Sequence, residues 1–225
     1  MKILILILAR GGSKRLPNKN ILKLGKKHLI NWSIDFAKKI PFVCNILVST
    51  DSKKIGLIAK KRGALVPWMR PKKLSTDVST SEDAALHAIN WYENNIQKVD
   101  GLMLLQPTSP FRKLKTIKEG IRIFKKNKYS SVISVEQCRH NSDSFFILKK
   151  KQKFLKKLFN RTKNIFRLNG SFALTSPSEF IKNKSFHNNN TFLLVCRTVI
   201  ESINIDTKDD WNIAKKLVNL INNFY

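Results

Sequence analysis

The sequence predicts an α/β fold: a mostly parallel sheet with helices on both faces, followed by a small β-rich lobe. Three observations carry this. A continuous apolar run at Ile3–Leu8 is followed by short strand-like segments rich in apolar residues at 45–50, 101–105 and 131–135. Such runs suit strands buried on both faces. The stretches between them have helical spacing, giving a βαβα order. Polar residues follow the runs directly, at 10–20, Asp51 and 106–112, and strand carboxyl ends are where open parallel sheets bind ligands.

The first run opens into Ala9-Arg10-Gly11-Gly12-Ser13-Lys14. It is too short for a typical signal-peptide core and lacks a clear cleavage site, so a buried strand is expected rather than an export leader. A helix is expected from His28 to Lys39, through Leu29, Ile30, Trp32, Ser33, Phe36 and Ala37, ending at Pro41. After the strand at 45–50, Asp51 and Ser52 can cap a helix to Arg62, and Gly63 suits its C-terminus. Ala64 to Trp68 reads as a short third strand. Ser79 with Glu82 makes a capping box for a helix carrying Ala85, Leu86, Ile89 and Tyr92. Ile117, Ile121 and Phe124 mark the next helix. Beyond residue 136 the pattern turns β-rich, with strands expected at 145–148 and 169–175, and 137–190 reads as an inserted lobe. Ile203 to Asp206 returns to the earlier style, and Thr207 with Asp210 caps a final helix through Ile213, Leu217 and Ile221.

With 225 residues, 42% of them hydrophobic, the chain is long enough for a sizeable core in one domain. Eight glycines and seven prolines exclude collagen-like and low-complexity classes. Cys44, Cys138 and Cys196 have no CxxC spacing, which argues against a disulfide framework or thiolate zinc site and for a cytoplasmic protein. No apolar run reaches the ~20 residues of a membrane span. The formal charge of +28 invites a nucleic-acid reading. The excess is mostly lysine spread along the whole chain, without a zinc-finger, RNP1 or basic-zipper pattern, so a lysine-biased composition explains it better. The tract Lys149 to Phe159 is the best candidate for nucleic acid or a membrane surface, but a solvated lysine face with Phe154, Leu155, Leu158 and Phe159 packed inward explains it better. The four histidines share no ligand spacing, and no G-x-S-x-G occurs, so zinc and triad chemistry are not expected.

The loop at 9–20 is the strongest functional signal. Its glycines allow close backbone approach, and Arg10, Lys14, Arg15 and Lys19 can surround a polyphosphate. It matches neither a Walker A loop nor G-x-G-x-x-G. The segment resembles the N-terminal signature of the acylneuraminate cytidylyltransferases, which make CMP-activated sialic acids. The resemblance continues through Arg70-Pro71 with Leu74, Asp77 and Ser81, through 104–112 (LLQPTSPFR), through 167–170 (RLNG) and through 203–207 (INIDT), in the family's order.

That resemblance implies a Rossmann-like fold of the nucleotide-diphospho-sugar transferase type. It implies transfer of CMP from CTP to the anomeric hydroxyl of a nine-carbon 2-keto sugar acid (sialic, legionaminic or pseudaminic), with release of pyrophosphate. Arg10, Gly11, Ser13, Lys19 and Asn20 match the phosphate and catalytic loop. Arg70, Ser81 and Gln106 match nucleotide-holding positions. Gln106, Arg167 and Asn169 fall in the blocks near the acceptor sugar, Arg161, slightly upstream of the last of these, is implied as the sugar-carboxylate contact, and Asp206, expected at a strand end, matches a Mg²⁺-binding carboxylate. At Asn204 the family often has a second aspartate, so this chain offers a weaker metal ligand there. A homodimer is implied, with the lobe reaching the partner subunit. The nearest alternative is the synthetase for the eight-carbon acid of lipopolysaccharide (KDO), whose signature 13–17 (SKRLP) also resembles. A non-catalytic basic nucleotide- or nucleic-acid-binding protein is a further alternative. Asp51 and Asp77 read equally well as caps or turn residues.

Overall fold

A computed structural model describes residues 1–126, 130–138, 146–148, 155–157 and 164–223. In chain order the elements are β1 (Ile3–Leu8), β2 (Lys23–Leu24), β3 (Lys27–His28), α1 (Leu29–Ala37), β4 (Val43–Ser49), α2 (Lys53–Lys61), α3 (Ser81–Asn95), β5 (Gly101–Leu104) and α4 (Leu114–Lys125). They continue with β6 (Ser131–Gln137), β7 (Phe146–Leu148), β8 (Leu155–Lys157), β9 (Phe166–Thr175), α5 (Pro177–Asn183), β10 (Thr191–Val195) and α6 (Lys208–Asn223).

The six-stranded sheet has the order β10-β6-β9-β5-β1-β4. β1 pairs in parallel with both β4 and β5, and β10 in parallel with β6. Only β9 runs antiparallel, between β5 and β6. The predicted mostly parallel sheet is therefore present, with one reversed strand at its middle.

β1 shows why the run is continuous rather than alternating. Ile3, Ile5 and Ile7 pack in one cluster with Ile30 and Ile34 of α1, Ile55 of α2 and Ile117 and Ile121 of α4. Leu4 and Leu6 face the other way, onto Ala85, Ala88, Ile89 and Tyr92 of α3 and Phe180 of α5. All five β1 side chains are fully buried, each contributing roughly 1.5–3 kcal/mol by leaving water. A third cluster ties the glycine-loop segment to α6 through Leu16, Leu24, Phe111, Ile205, Trp211 and Val218.

Several local expectations change. Ala64–Trp68 is not a strand: only Leu47 and Leu65 form an isolated bridge, and Pro67 lacks the N–H to extend it. The cap of α3 is Thr80, whose Oγ1 accepts from the Asp83 N–H at 3.0 Å. Ser79 cannot cap because its hydroxyl already donates to the Lys73 carbonyl at 2.7 Å and accepts from the Thr76 N–H. The Thr207–Asp210 box forms as expected, at 2.8 Å and 3.2 Å. Within 137–190, β9 belongs to the main sheet, and among the described residues β7 and β8 form a separate two-stranded sheet. Most of the basic tract 149–159, with Phe145, lies outside the described residues.

Candidate active site

A cavity of about 550 Å³ opens at the carboxyl ends of β1 and β5, a size suited to a nucleotide-scale ligand. It is lined by Arg10, Ser13, Lys19, Asn20, Arg70, Ser81, Gln106 and Asp206, together with Lys14, Arg15, Asp77 and Thr108. A second cavity of about 490 Å³ holds Arg167, Asn169, Asn204 and Ser202, and shares Arg15 and Asp206 with the first. Four of the sequence blocks thus meet in the first cavity, and the RLNG block meets it across Asp206. Arg161 lies outside the described residues.

The glycine loop leaves β1 and is held at several points. The Asn20 side-chain amide donates to the Arg10 carbonyl at 3.0 Å, and the Ser13 N–H to the Gly11 carbonyl at 2.9 Å. Gly11 behaves differently from expectation. Its N–H donates to Asp51 Oδ1 at 2.7 Å and it does not line the cavity. A Cβ there would stand 3.1 Å from Ser52 Cβ, so Gly11 serves close packing on the β4–α2 turn rather than presenting an N–H to a ligand. Asp51 is accordingly a loop anchor.

Arg70 is buried, with Nε donating to Ser49 Oγ at 2.9 Å and Nη2 to the Ser49 carbonyl at 2.5 Å. Burial lowers its pKa from the ordinary arginine value, partly offset by the Asp51 charge. Gln106 sits against Gly170: a Cβ on Gly170 would come within 2.5 Å of Gln106 Oε1, and its φ of +71° also favours glycine. The Gln106 carbonyl accepts from Arg112 Nη2 at 2.5 Å. Arg112 also donates to the Ser171 carbonyl and Ser33 Oγ, at 2.5 and 3.0 Å. Buried without a carboxylate, its pKa is pulled down to about 9 by desolvation. Arg112 was legible only as part of a motif; its role as a clamp between the Gln106 turn and β9 is a structural finding.

Asp206 does not stand at a strand end. It lies on the irregular segment between β10 and α6, where the Ile205 N–H donates to the Thr108 carbonyl at 2.8 Å and Ile205 is fully buried. Asp206 Oδ1 accepts from Lys19 Nζ at 2.8 Å, and Oδ2 from Asn204 Nδ2 at 2.7 Å, with Arg15 Nη2 3.5 Å away. Lys19 also donates to the Ile205 carbonyl at 2.9 Å and is nearly buried. Asn204 Oδ1 is buried without a hydrogen-bond partner. Among the described residues no group of three or more His, Cys, Asp or Glu side chains could hold a metal ion by itself.

Arg167 is largely exposed and paired with Glu136, 2.6 Å from its Nε. Asn169 is buried, its Oδ1 accepting from the Ser171 N–H at 3.1 Å.

A mostly parallel sheet whose strand ends present a cation-rich, nucleotide-sized cavity, with Asp77 and Asp206 each beside a lysine, is the architecture of a nucleotidyltransferase. Comparison with known proteins agrees. The cytidylyltransferase family model matches residues 4–224, and the chain belongs to that family. It is 39% identical over 228 aligned residues to a CMP-N,N'-diacetyllegionaminic acid synthase of Legionella pneumophila, covering 98% of this chain and 97% of that one. An N-acylneuraminate cytidylyltransferase of Escherichia coli is 30% identical over 95% of this chain, which spans 51% of that protein's length. Among solved structures, a CMP:2-keto-3-deoxy-manno-octonic acid synthetase complexed with CTP superposes with a TM-score of 0.72 at 14% identity, covering 98% of this chain and 99% of that one. At that identity the likeness is one of fold. No helix among the described residues is long and apolar enough to cross a membrane.

Proposed function

We propose that this enzyme transfers CMP from CTP to the anomeric hydroxyl of a nine-carbon 2-keto sugar acid, with a diacetylated legionaminic-type acid as the leading acceptor. The observation that carries this is full-length 39% identity to the legionaminic synthase, together with a cavity that gathers the residues of the nucleotide blocks.

The chemistry is attack of the acceptor hydroxyl on the α-phosphorus, forming a new P–O bond as the bond to pyrophosphate breaks. Such transfers ask the protein mainly for positioning and charge neutralisation. Arg10, Lys14 and Lys19 offset phosphate charge. Arg70, Ser81 and Gln106 hold the nucleotide, with Arg70 fixed in place by Ser49 before any ligand arrives. Arg167 and Asn169 line the adjoining cavity and serve the acceptor, with Arg161 as a further carboxylate contact. A smaller, more apolar cavity of about 140 Å³, bordered by Gln106, Ala173, Phe172 and Phe186, suits the acceptor's acylamido substituents.

The donor set fits Mg²⁺. One carboxylate, on Asp206, stands beside a buried amide whose oxygen has no partner, on Asn204. Mg²⁺ commonly takes one or two carboxylates and completes its shell with phosphate oxygens and water. Bound there, it would supply Lewis-acid stabilisation of phosphate charge. Lys19 neutralises Asp206 and keeps a cation at this point of the cavity. A homodimer is proposed on the exposed apolar side chains Leu193 and Val195 of the edge strand β10 and Val199 just beyond it.

The test is pyrophosphate release from CTP and Mg²⁺ against a panel of diacetyllegionaminic, N-acetylneuraminic, pseudaminic and the eight-carbon acids. Release with a nine-carbon acid supports the proposal. Release with the eight-carbon acid alone would replace the acceptor, and silence with all four would reject the reaction.

A further inference from the structure

We propose that Asp77 is a positioning residue for the CTP triphosphate, holding Arg10 and Lys14 toward the phosphates without itself meeting metal or substrate. Its carboxylate is shared by the two cations: Oδ1 lies 3.2 Å from Arg10 Nη1, and Oδ2 lies 2.6 Å from Lys14 Nζ. All three residues line the 550 Å³ cavity.

A turn role does not explain Asp77. Its carboxylate accepts nothing from the backbone of its own loop. That loop is held instead by Thr76 and Ser79, whose hydroxyls lie 2.7 Å apart, with the Thr76 N–H donating to Ser79 Oγ at 3.2 Å. A competing role, in which Asp77 occupies the phosphate position, fits less well than an anchoring one. Arg10 commits only Nη1, to Asp77 and to the Thr76 carbonyl at 3.1 Å. Its Nε and Nη2 donors make no hydrogen bond among the described residues, and that free edge of the guanidinium is what a phosphate takes in a two-pronged contact. Lys14 likewise spends one of three donors. The Lys14 contact is the main reason the Asp77 carboxyl is held below the usual carboxylate range, with Arg10 adding to it. The carboxylate therefore stays charged at neutral pH. The same loop carries Arg70 at its start, so one segment sets three of the cavity's cations.

This inference rests on CTP being the donor, and the experiment separates the two. Dissociation constants for CTP, UTP and cytidine are measured by calorimetry or competition on the full-length protein and on Asp77→Asn and Asp77→Ala. The expected result is that both variants lose about tenfold in CTP affinity, the scale of a loosened charge-assisted contact. Cytidine, with no phosphate, should be unchanged, and the KM for CTP should rise more than kcat falls. Equal or tighter CTP binding by the variants would make Asp77 a competitor and overturn the proposal. An equal loss for CTP and cytidine would reduce Asp77 to general loop structure and also overturn it. Absence of a CTP preference in the unaltered protein would instead strike at the donor assignment itself.

Discussion

Asp77 and Asp206 line the same cavity and each holds two cations, yet their surroundings differ. Asp206 accepts from Lys19, whose side chain is only 11% exposed, and lies in a segment pinned by buried Ile205. Asp77 is about half exposed, and its partner Lys14 is 79% exposed. A charge pair in water is worth little and is screened by salt. A pair held against a core keeps its geometry and its field. The difference separates a preorganised reaction centre from an adjustable phosphate grip built of the same residue types.

The largest expected effect comes from the buried side. Asp206→Ala should abolish turnover while CTP still binds and the melting temperature holds; near-normal rates in Mg²⁺ would remove Asp206 from the metal site. Lys19→Ala should lower kcat by about a hundredfold or more, the scale of losing a preorganised charge contact. An unchanged kcat would put Lys19 on a par with the exposed cations and erase the contrast.

Support beneath the site should show as stability. Arg112→Ala removes the donor to the Ser171 carbonyl and Ser33 Oγ and one of the donors to the Gln106 carbonyl, which keeps the Ser109 N–H, at a cost of about 3 kcal/mol in denaturant unfolding. A smaller loss, about 1–2 kcal/mol, is expected for Gly170→Ala, from the left-handed backbone and the close approach to Gln106. Because Gln106 borders both the nucleotide cavity and the smaller acceptor cavity, the variant's KM values for CTP and for the acceptor should both rise.

How much of this could be read from sequence followed from how local the cause was. β1 and the loop after it were legible because burial on both faces writes a continuous apolar run and close backbone approach, here of Gly11 to Ser52, writes glycine. The gathering of five distant blocks was legible only as resemblance. The place of β9 was not legible, because its partners β5 and β6 are chosen by long-range pairing that no local periodicity encodes. β10 was missed because Thr191–Val195 is short and follows a run of asparagines. Asp206 was expected at a strand end because Ile203 to Asp206 follows the α/β style of the earlier strands. Ile203 and Ile205 instead reach the α6 cluster from a segment outside the sheet, tied to it by the Ile205 N–H on the Thr108 carbonyl. The roles of Asp77 and Arg112 depend on partners far away in the chain, and their residue types alone do not specify them.

The smallest effect is acid dependence at the cap of α6. Burial alone would raise the Asp210 carboxyl, but the N–H groups of Asp206 and Thr207 and the Thr207 hydroxyl hold it below its ordinary value of 3.8. A depressed folded-state pKa contributes stability that is complete above the unfolded value and is lost as pH falls through the folded one. The melting-temperature gap between the unaltered protein and Asp210→Asn should therefore be constant near neutrality and shrink only below about pH 4. A gap that closed between pH 5 and 7 would contradict the assignment.

The most direct test follows the α-phosphorus. CTP labelled there is incubated with Mg²⁺ and diacetyllegionaminic acid, using the unaltered enzyme and Asp206→Ala side by side. Label is expected in a CMP–sugar product from the first and none from the second, which still binds CTP. No labelled product from the unaltered enzyme with any nine-carbon 2-keto acid, or equal product from both proteins, would contradict that expectation.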